Sequence, residues 1–254
     1  MTIRPVALVT GASRGIGLAI ARRLAVDGFD LVVTGIAPDT DGVAAGLAAL
    51  GAGVTYLHGD LADLATHARW LDAVRAGPGR IDCLVNNAGM GAVARGDVLD
   101  LAPENFDRVM AVNLRGTAFL TQAALKLMLA QPAGPIARSV VTITSVSATH
   151  VSPDRLDYCI SKAALAMWCK GLAVRFAADG IGVFDVRPGI IHSDMTAAVT
   201  EKYDRLIAGG LVPAARWGEG EDVAEVVAAL ASGRLGFATG SVIDVGGGLQ
   251  IARF

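Results

Sequence analysis

A short apolar run, Val6 to Thr10, leads into Gly11-Ala-Ser-Arg-Gly-Ile-Gly17, and Ile16, Ile20 and Leu24 follow at helical spacing. Strand, glycine turn and helix in immediate succession constrain this chain more than any other feature. The alternation continues. Leu31 to Thr34, Val54 to Leu57, Ile81 to Val85, Ser139 to Thr144, Gly182 to Val186 and Ser241 to Val245 read as strands. Helices are predicted around Val43 to Leu50 and Trp70 to Val74, then over Phe106 to Leu129, Asp157 to about Ala178, and Asp222 to Ala231. The polar, Gly-rich stretch from Ser193 to Glu219 shows no clear strand. Short apolar strands separated by helices imply a parallel sheet covered on both faces. Right-handed crossovers make such a sheet doubly wound. No linker, low-complexity run or internal repeat interrupts the pattern, so residues 1–254 are predicted to form a single α/β domain.

Composition narrows the function classes. Hydrophobic residues are 53% of the chain and charged residues 18%, ample material for a core. The longest membrane-span candidate, Val109 to Ala130, is interrupted by Asn113, Arg115 and Lys126, so no spanning helix is expected. A net charge of -2 disfavours nucleic-acid partners. No signal peptide is read at Met1-Thr-Ile-Arg-Pro5. Cys83, Cys159 and Cys169 have neither zinc-site nor redox-pair spacing, and such cysteines pack as small hydrophobes. Together these features predict a cytoplasmic protein.

The glycine turn has a ligand-binding logic. Gly11 lets the chain turn tightly, Gly15 lets backbone approach a pyrophosphate, and Gly17 lets the helix pack on the strand. The helix N-terminus then offers free N–H groups and a positive dipole end to the phosphates. An empty strand-to-helix turn is the plain alternative. The second strand ends Val33-Thr-Gly-Ile36, without the acid that would bind the ribose hydroxyls and repel a 2′-phosphate. Arg14 stands where it could reach such a phosphate. NADP(H) is therefore favoured over NAD(H), although Asp39 and Asp41 could swing back toward the ribose.

Tyr158 and Lys162 are four residues apart in a predicted helix, hence on one face. An ammonium near a phenol stabilises the phenolate, and a phenol so placed can exchange a proton with a carbonyl or alcohol oxygen. Such pairs are common on helix surfaces, so context decides. Ser145 closes the fifth predicted strand, at the sheet end where ligands bind. Asn113 lies inside a helix, a position neutral to unfavourable for an amide and in want of a reason.

Thr10-Gly-Ala-Ser-Arg-Gly-Ile-Gly17, Asp60-Leu61, Asn86-Asn-Ala-Gly89, Asn113, Ser145, Tyr158-x-x-x-Lys162 and Pro188-Gly-Ile-Ile191 occur in the order and spacing of one family. By these residues the chain resembles the short-chain dehydrogenases/reductases, within which it is most similar to 3-oxoacyl-acyl-carrier-protein reductases. The resemblance implies a Rossmann fold and hydride transfer between a nicotinamide and a carbonyl or secondary alcohol. It implies that Ser145 orients the substrate oxygen, Tyr158 is the acid/base, and Lys162 holds the nicotinamide ribose. Asn113 would anchor a water chain from Lys162 to solvent. Gly11, Ser13, Arg14, Gly15, Ile16 and Gly17 would line the pyrophosphate side. Asp60 and Leu61 would meet the adenine, and Asn87, Ala88 and Gly89 the adenosine ribose. Pro188, Gly189, Ile191 and Ser193 would border the carboxamide.

The substrate would be a small or carrier-bound carbonyl compound, reached from Met90-Gly91, His150-Val-Ser152, His192 and a lid from Thr196 to Trp217. Arg95, Arg155 and Arg216 could meet an anionic substrate or a carrier protein, but each alone reads more readily as a solvated charge. His150 lacks acidic or thiol neighbours, and no metal constellation is read. A sugar, polyol or small-alcohol dehydrogenase of the same family is the alternative activity, and a non-catalytic nucleotide-binding regulator a remote one. An epimerase or dehydratase would need a larger C-terminal region. Phe119, Leu125, Met128, Met167 and Trp168 exceed what one sheet-covering stripe requires. With the family resemblance, they predict a homotetramer packed through these helices.

Overall fold

A computed structural model describes residues 3–193, 196 and 199–253; Met1, Thr2, Asp194, Met195, Ala197, Ala198 and Phe254 lie outside the described residues. Among the described residues, seven strands form one sheet: β1 (Val6–Val9), β2 (Asp30–Gly35), β3 (Val54–His58), β4 (Cys83–Asn86), β5 (Ser139–Ile143), β6 (Gly182–Pro188) and β7 (Val242–Val245). Their order is β3-β2-β1-β4-β5-β6-β7 and every pairing is parallel. The chain winds outward from β1 to β3, then crosses back to place β4 on the other side of β1. That reversal opens a crevice at the carboxyl ends of β1 and β4.

Side chains alternate across the strands, so each strand serves two cores. Val9, Val33, Val141 and Val186 meet Ile20 and Leu24 of α1 (Gly15–Val26), and Val223 and Val227 of a late helix at Gly220–Ala231. Leu47 of α2 (Val43–Ala48) joins this layer. On the opposite face, Leu8, Leu84, Val140 and Val183 meet Leu71 of α3 (Leu64–Ala76) and the long helices of the middle of the chain. This two-sided burial is why the strands read as continuous apolar runs.

The expected helix over Phe106 to Leu129 is longer and not uniform. It comprises α4 (Pro103–Met110), a π-helical turn over Ala111–Gly116, and α5 (Thr117–Ala130). Pro103 opens it at a position where a missing N–H costs nothing. α6 (Leu156–Phe176) follows β5. The stretch expected to lack strands contains α7 (Thr200–Ala208) and an isolated parallel bridge between Ile191 and Gly218. α8 (Gly220–Ala231) opens with a capping box between Glu219 and Asp222.

The surplus apolar side chains divide. Leu125 and Met128 are core residues facing the sheet, so they are not spare surface. Phe119 on α5 and Met167 on α6 are exposed, at 46% and 65%, and so are Ile160 and Val174, seven residues to either side of Met167 on α6.

Asp82, just before β4, is fully buried. Its carboxylate accepts from Val6 N at 2.9 Å and from Arg80 Nε and Nη2, both at 2.8 Å, tying β1 to the chain entering β4. Asp82→Ala leaves a half-covered guanidinium and a buried N–H unpaired. Urea denaturation should show a loss of about 3–5 kcal/mol; a loss under about 1 kcal/mol would mean the pair is dispensable.

Candidate active site

The glycine turn and the segment after β4 meet across the crevice. Gly11 and Gly15 hold φ values of 65° and 55°, which a side chain would strain. Contact at Gly11 is also close: a Cβ there would lie 2.9 Å from Ala88 Cα. Thr10 Oγ1 accepts from Asn87 N and Ala88 N, both at 3.0 Å. Asn87 Nδ2 donates to Thr10 O and Gly11 O, also at 3.0 Å. The result is a cradle with no side chain at its floor, opening onto the N-terminus of α1. Its bare backbone and the dipole of α1 suit an anion such as a phosphate. Arg14 is the exposed residue before that helix, and Ile16 lies in its first turn.

The tip of β2 is built differently from the sequence expectation. Tyr56, on β3, leans across it and donates to Ala37 O at 3.0 Å. A Cβ on Gly35 would lie 2.0 Å from the Tyr56 hydroxyl, so a side chain at this tip would have to displace the Tyr56 ring. Burial pushes the Tyr56 phenol up, and the carboxylates of Asp39 and Asp41 push it further. Asp39 itself accepts from Val43 N and Ala44 N, both at 2.8 Å, and so caps α2. Nothing in the sequence pattern pointed to Tyr56.

Just after β3, Asp60 accepts from Ala62 N at 2.9 Å and pairs with Arg108 at 2.9 Å. Leu61 packs with Trp70 and Leu120.

On the other side of the crevice, Tyr158, Lys162, Ser145 and Asn113 come together around α6. All four are buried. Lys162 Nζ lies 5.7 Å from the Tyr158 ring centroid and donates to Ile143 O at 3.1 Å, at the end of β5. Ser145 Oγ accepts from Ser147 N at 3.0 Å in the turn against which α6 packs. Asn113 sits in the π-helical turn. Its Oδ1 accepts from Met90 N at 2.8 Å, while Nδ2 donates to Met90 O at 2.9 Å and to Ser161 Oγ at 3.0 Å. Ser161 in turn donates to Tyr158 O at 2.8 Å. Gly89 completes the contact, since a Cβ there would meet Asn113 Oδ1 at 3.2 Å and Lys162 Nζ at 3.6 Å. Ser161 is a part of this frame that the sequence reading did not single out, and Thr10 and Met90, quoted there as the start of the glycine motif and as a substrate-side residue, serve as its hydrogen-bonding members.

Beyond β6, Gly189 N donates to Val245 O at 2.9 Å. Thr196 Oγ1 donates to Ile191 O at 3.0 Å and accepts from Ser193 N at 3.1 Å, closing the turn after Ile191. Part of the expected lid, Ala197 and Ala198, lies outside the described residues. The rest is latched: His192 stacks on Trp217 with centroids 4.3 Å apart, and Trp217 Nε1 donates to Asp204 at 2.7 Å. A pocket of about 440 Å³ lies between His192, Ile207 and Trp217. Burial pushes the Cys83 and Cys169 thiols up to about 12, which leaves neither ionised near neutrality.

Known proteins resemble this chain throughout. A family model described as enoyl-(acyl carrier protein) reductase matches residues 11–250. The 3-oxoacyl-[acyl-carrier-protein] reductase FabG of Haemophilus influenzae is 37% identical over 248 residues, 97% of this chain and 98% of that protein. The crystal structure of a 3-oxoacyl-[acyl-carrier protein] reductase from Brucella melitensis, in complex with NAD, is 58% identical with a TM-score of 0.97, covering 99% of each chain. A solved chain from Agrobacterium tumefaciens with bound NADP is 33% identical with a TM-score of 0.86, covering 98% of this chain and 97% of its own.

A Cβ on Gly17 would fall 2.2 Å from Gly11 O and 2.4 Å from Asn87 Nδ2. Gly17→Ala must therefore displace backbone at the cradle. Thermal melts should show a loss of about 1–3 kcal/mol, and dinucleotide titration should weaken by about tenfold or more. Unchanged dinucleotide affinity would show that the cradle is not the phosphate site.

Proposed function

The chain belongs to the short-chain dehydrogenase/reductase family and is a nicotinamide-dependent oxidoreductase; from that premise we propose that Tyr158 is the proton-transferring group, served by Lys162 and Ser145, in the reduction of a 3-oxoacyl-type ketone. The observation that carries this reading is the Lys162 ammonium beside the Tyr158 ring, tethered to the end of β5.

The bound nicotinamide would supply or accept the hydride. Gly11, Ser13, Arg14, Gly15, Ile16 and Gly17 would hold its pyrophosphate side, Asp60 and Leu61 the adenine, and Asn87, Ala88 and Gly89 the adenosine ribose. Pro188, Gly189, Ile191 and Ser193 would border the carboxamide. The side-chain-free floor at Gly11, Gly17 and Gly89 fits such a group. In the reducing direction, the Tyr158 hydroxyl donates its proton to the substrate oxygen as that oxygen gains negative charge. The Ser145 hydroxyl donates a second hydrogen bond to the same oxygen and fixes its position. Lys162 favours the phenolate left behind. Asn113 would anchor the water path by which Lys162 exchanges protons with solvent. Alcohol oxidation runs the same transfers backward.

Two relatives bear the name 3-oxoacyl-[acyl-carrier-protein] reductase, which supports a carrier-bound 3-oxoacyl substrate for this chain. The exposed side chains of Phe119, Ile160, Met167 and Val174 support burial against further copies in a homotetramer. No helix among the described residues is long and apolar enough to cross a membrane, and the proposed setting is the cytoplasm. For the cofactor, NADP(H) is proposed over NAD(H). The tip of β2 carries Gly35 and Ile36 and no acid, with the Tyr56 hydroxyl leaning across it, and Asp39 is engaged in capping α2. Arg14, in the glycine turn, is the cation that supports a 2′-phosphate.

Tyr158→Phe should lower kcat by about 10²–10⁴-fold with dinucleotide binding retained; near-normal turnover would remove Tyr158 from the chemistry. In parallel assays, kcat/KM with NADPH should exceed that with NADH, and Arg14→Ala should shrink the ratio by about tenfold. A preference for NADH in the unmodified enzyme would refute the assignment of Arg14.

A further inference from the structure

Three side chains near the start of α3 reach back to the segment leaving β3. Trp70 Nε1 donates to His58 O at 3.3 Å. Thr66 is buried against Gly59, where a Cβ would lie 2.6 Å from Thr66 Cγ2. His67 Nε2 lies 2.8 Å from Leu61 O. A carbonyl oxygen can only accept, so His67 donates through Nε2 and its Nδ1 carries the lone pair. The ring is 4% exposed and stacks on Trp70, with centroids 6.1 Å apart. Burial pushes the imidazole below its ordinary value, and the charge of Arg115 pushes the same way, against the Leu61 carbonyl and Asp63. The ring is therefore neutral at pH 7 and above.

The turn held by this histidine is confined on its other sides. Ala62 N donates to Asp60, and Arg115 Nη1 donates to Ala62 O at 3.4 Å. A Cβ on Gly116, in the π-helical turn that carries Asn113, would lie 2.4 Å from Leu61 O. Leu61 packs with Trp70 and Leu120, and this cluster meets Ala88. Ala88 is the residue whose N–H bonds Thr10 Oγ1 in the glycine cradle. The direction of the Leu61 carbonyl therefore sets a wall of the crevice, and one buried neutral donor sets that direction.

A buried polar ring is retained at a cost that an apolar residue would avoid, unless its hydrogen bond serves the fold or a site. We infer that His67 is a positioning residue for the adenine end of the dinucleotide: by holding Leu61 O it fixes the turn on which Asp60 and Leu61 meet the ring. This deepens the assignment of those two residues to the adenine and rests on it.

Two probes divide the dinucleotide. ADP carries the adenine end, and reduced nicotinamide mononucleotide carries the other. In calorimetric titration His67→Leu should bind ADP about tenfold more weakly, with the mononucleotide unchanged within about twofold. At saturating dinucleotide kcat should stay within about twofold while the dinucleotide KM rises about tenfold. His67→Gln can place an amide donor near the position of Nε2 and should recover most of the ADP affinity. ADP affinity unchanged in His67→Leu, equal losses on both probes, or a Gln variant no better than the Leu variant would each overturn the inference. A measurement on the unmodified protein holds even if His67→Leu does not fold. The ring nitrogens of His67, read by NMR at about pH 7.5, should report a neutral ring protonated at Nε2. ADP should shift these signals and the mononucleotide should not. A proton on Nδ1, or no response to ADP, would overturn the inference. Failure of the wider reading looks different: an unmodified protein that binds the dinucleotide but not ADP would sink the adenine assignment of Asp60 and Leu61, and this inference with it. ADP binding that is tight and indifferent to His67 would sink this inference alone.

Discussion

The crevice depends on one hydroxyl. Thr10 Oγ1 donates to Val85 O and accepts from Asn87 N and Ala88 N, which is the full capacity of a threonine hydroxyl. It thereby holds the end of β1 against the chain leaving β4, and Asn87 closes the same gap from the other side through Nδ2. The two segments are more than seventy residues apart in sequence. Their separation has to be one backbone thickness, and this explains why Gly11 and Gly17 lack side chains more directly than turn geometry alone. A methyl group at Gly11 would run into Ala88 across the gap, and one at Gly17 into Gly11 O of its own turn and the Asn87 amide.

A second lock carries this order to the other half of the site. The Asn113 amide spends both ends on Met90 and still reaches Ser161, whose hydroxyl bonds the carbonyl of Tyr158. The segment after β4 and the first turns of α6 are thus parts of one hydrogen-bonded unit. The π-helical turn over Ala111–Gly116 is where Asn113 stands, fully buried, and such turns recur at functional sites because they interrupt the regular ladder. The amide expected from sequence to need a reason has one: it satisfies main-chain groups that no strand or helix reaches.

The parallel, doubly wound sheet, its cover of helices on both faces and the glycine turn were legible in the sequence because they are written in local periods and backbone requirements; the strand order was not. The Tyr158–Lys162 pair was legible for the same reason, since one helical turn fixes its geometry. What was not legible depended on partners distant in the chain. Tyr56 blocks the tip of β2 from a neighbouring strand, and no local pattern announces it. Periodicity could not divide Leu125 and Met128, which face the sheet, from Phe119, which faces outward. The three arginines looked alike until their counter-ions were known, and Arg95 finds its acid 59 residues away.

That distribution of charge bears on the surroundings of Tyr158. Lys162 and Arg155 both approach its ring, with Nζ and Cζ 5.7 and 4.9 Å from the centroid, but in different settings. Lys162 is buried and donates to Ile143 O at the end of β5. Arg155 lines a pocket with Asp97, Asp100, Asp154 and Asp157, so its charge stands among carboxylates. The lysine is positioned by the sheet and the arginine by the loops that precede α6. This division supports the proposed pairing of Tyr158 with Lys162, because a cation held at the end of a strand keeps its place while the substrate side changes.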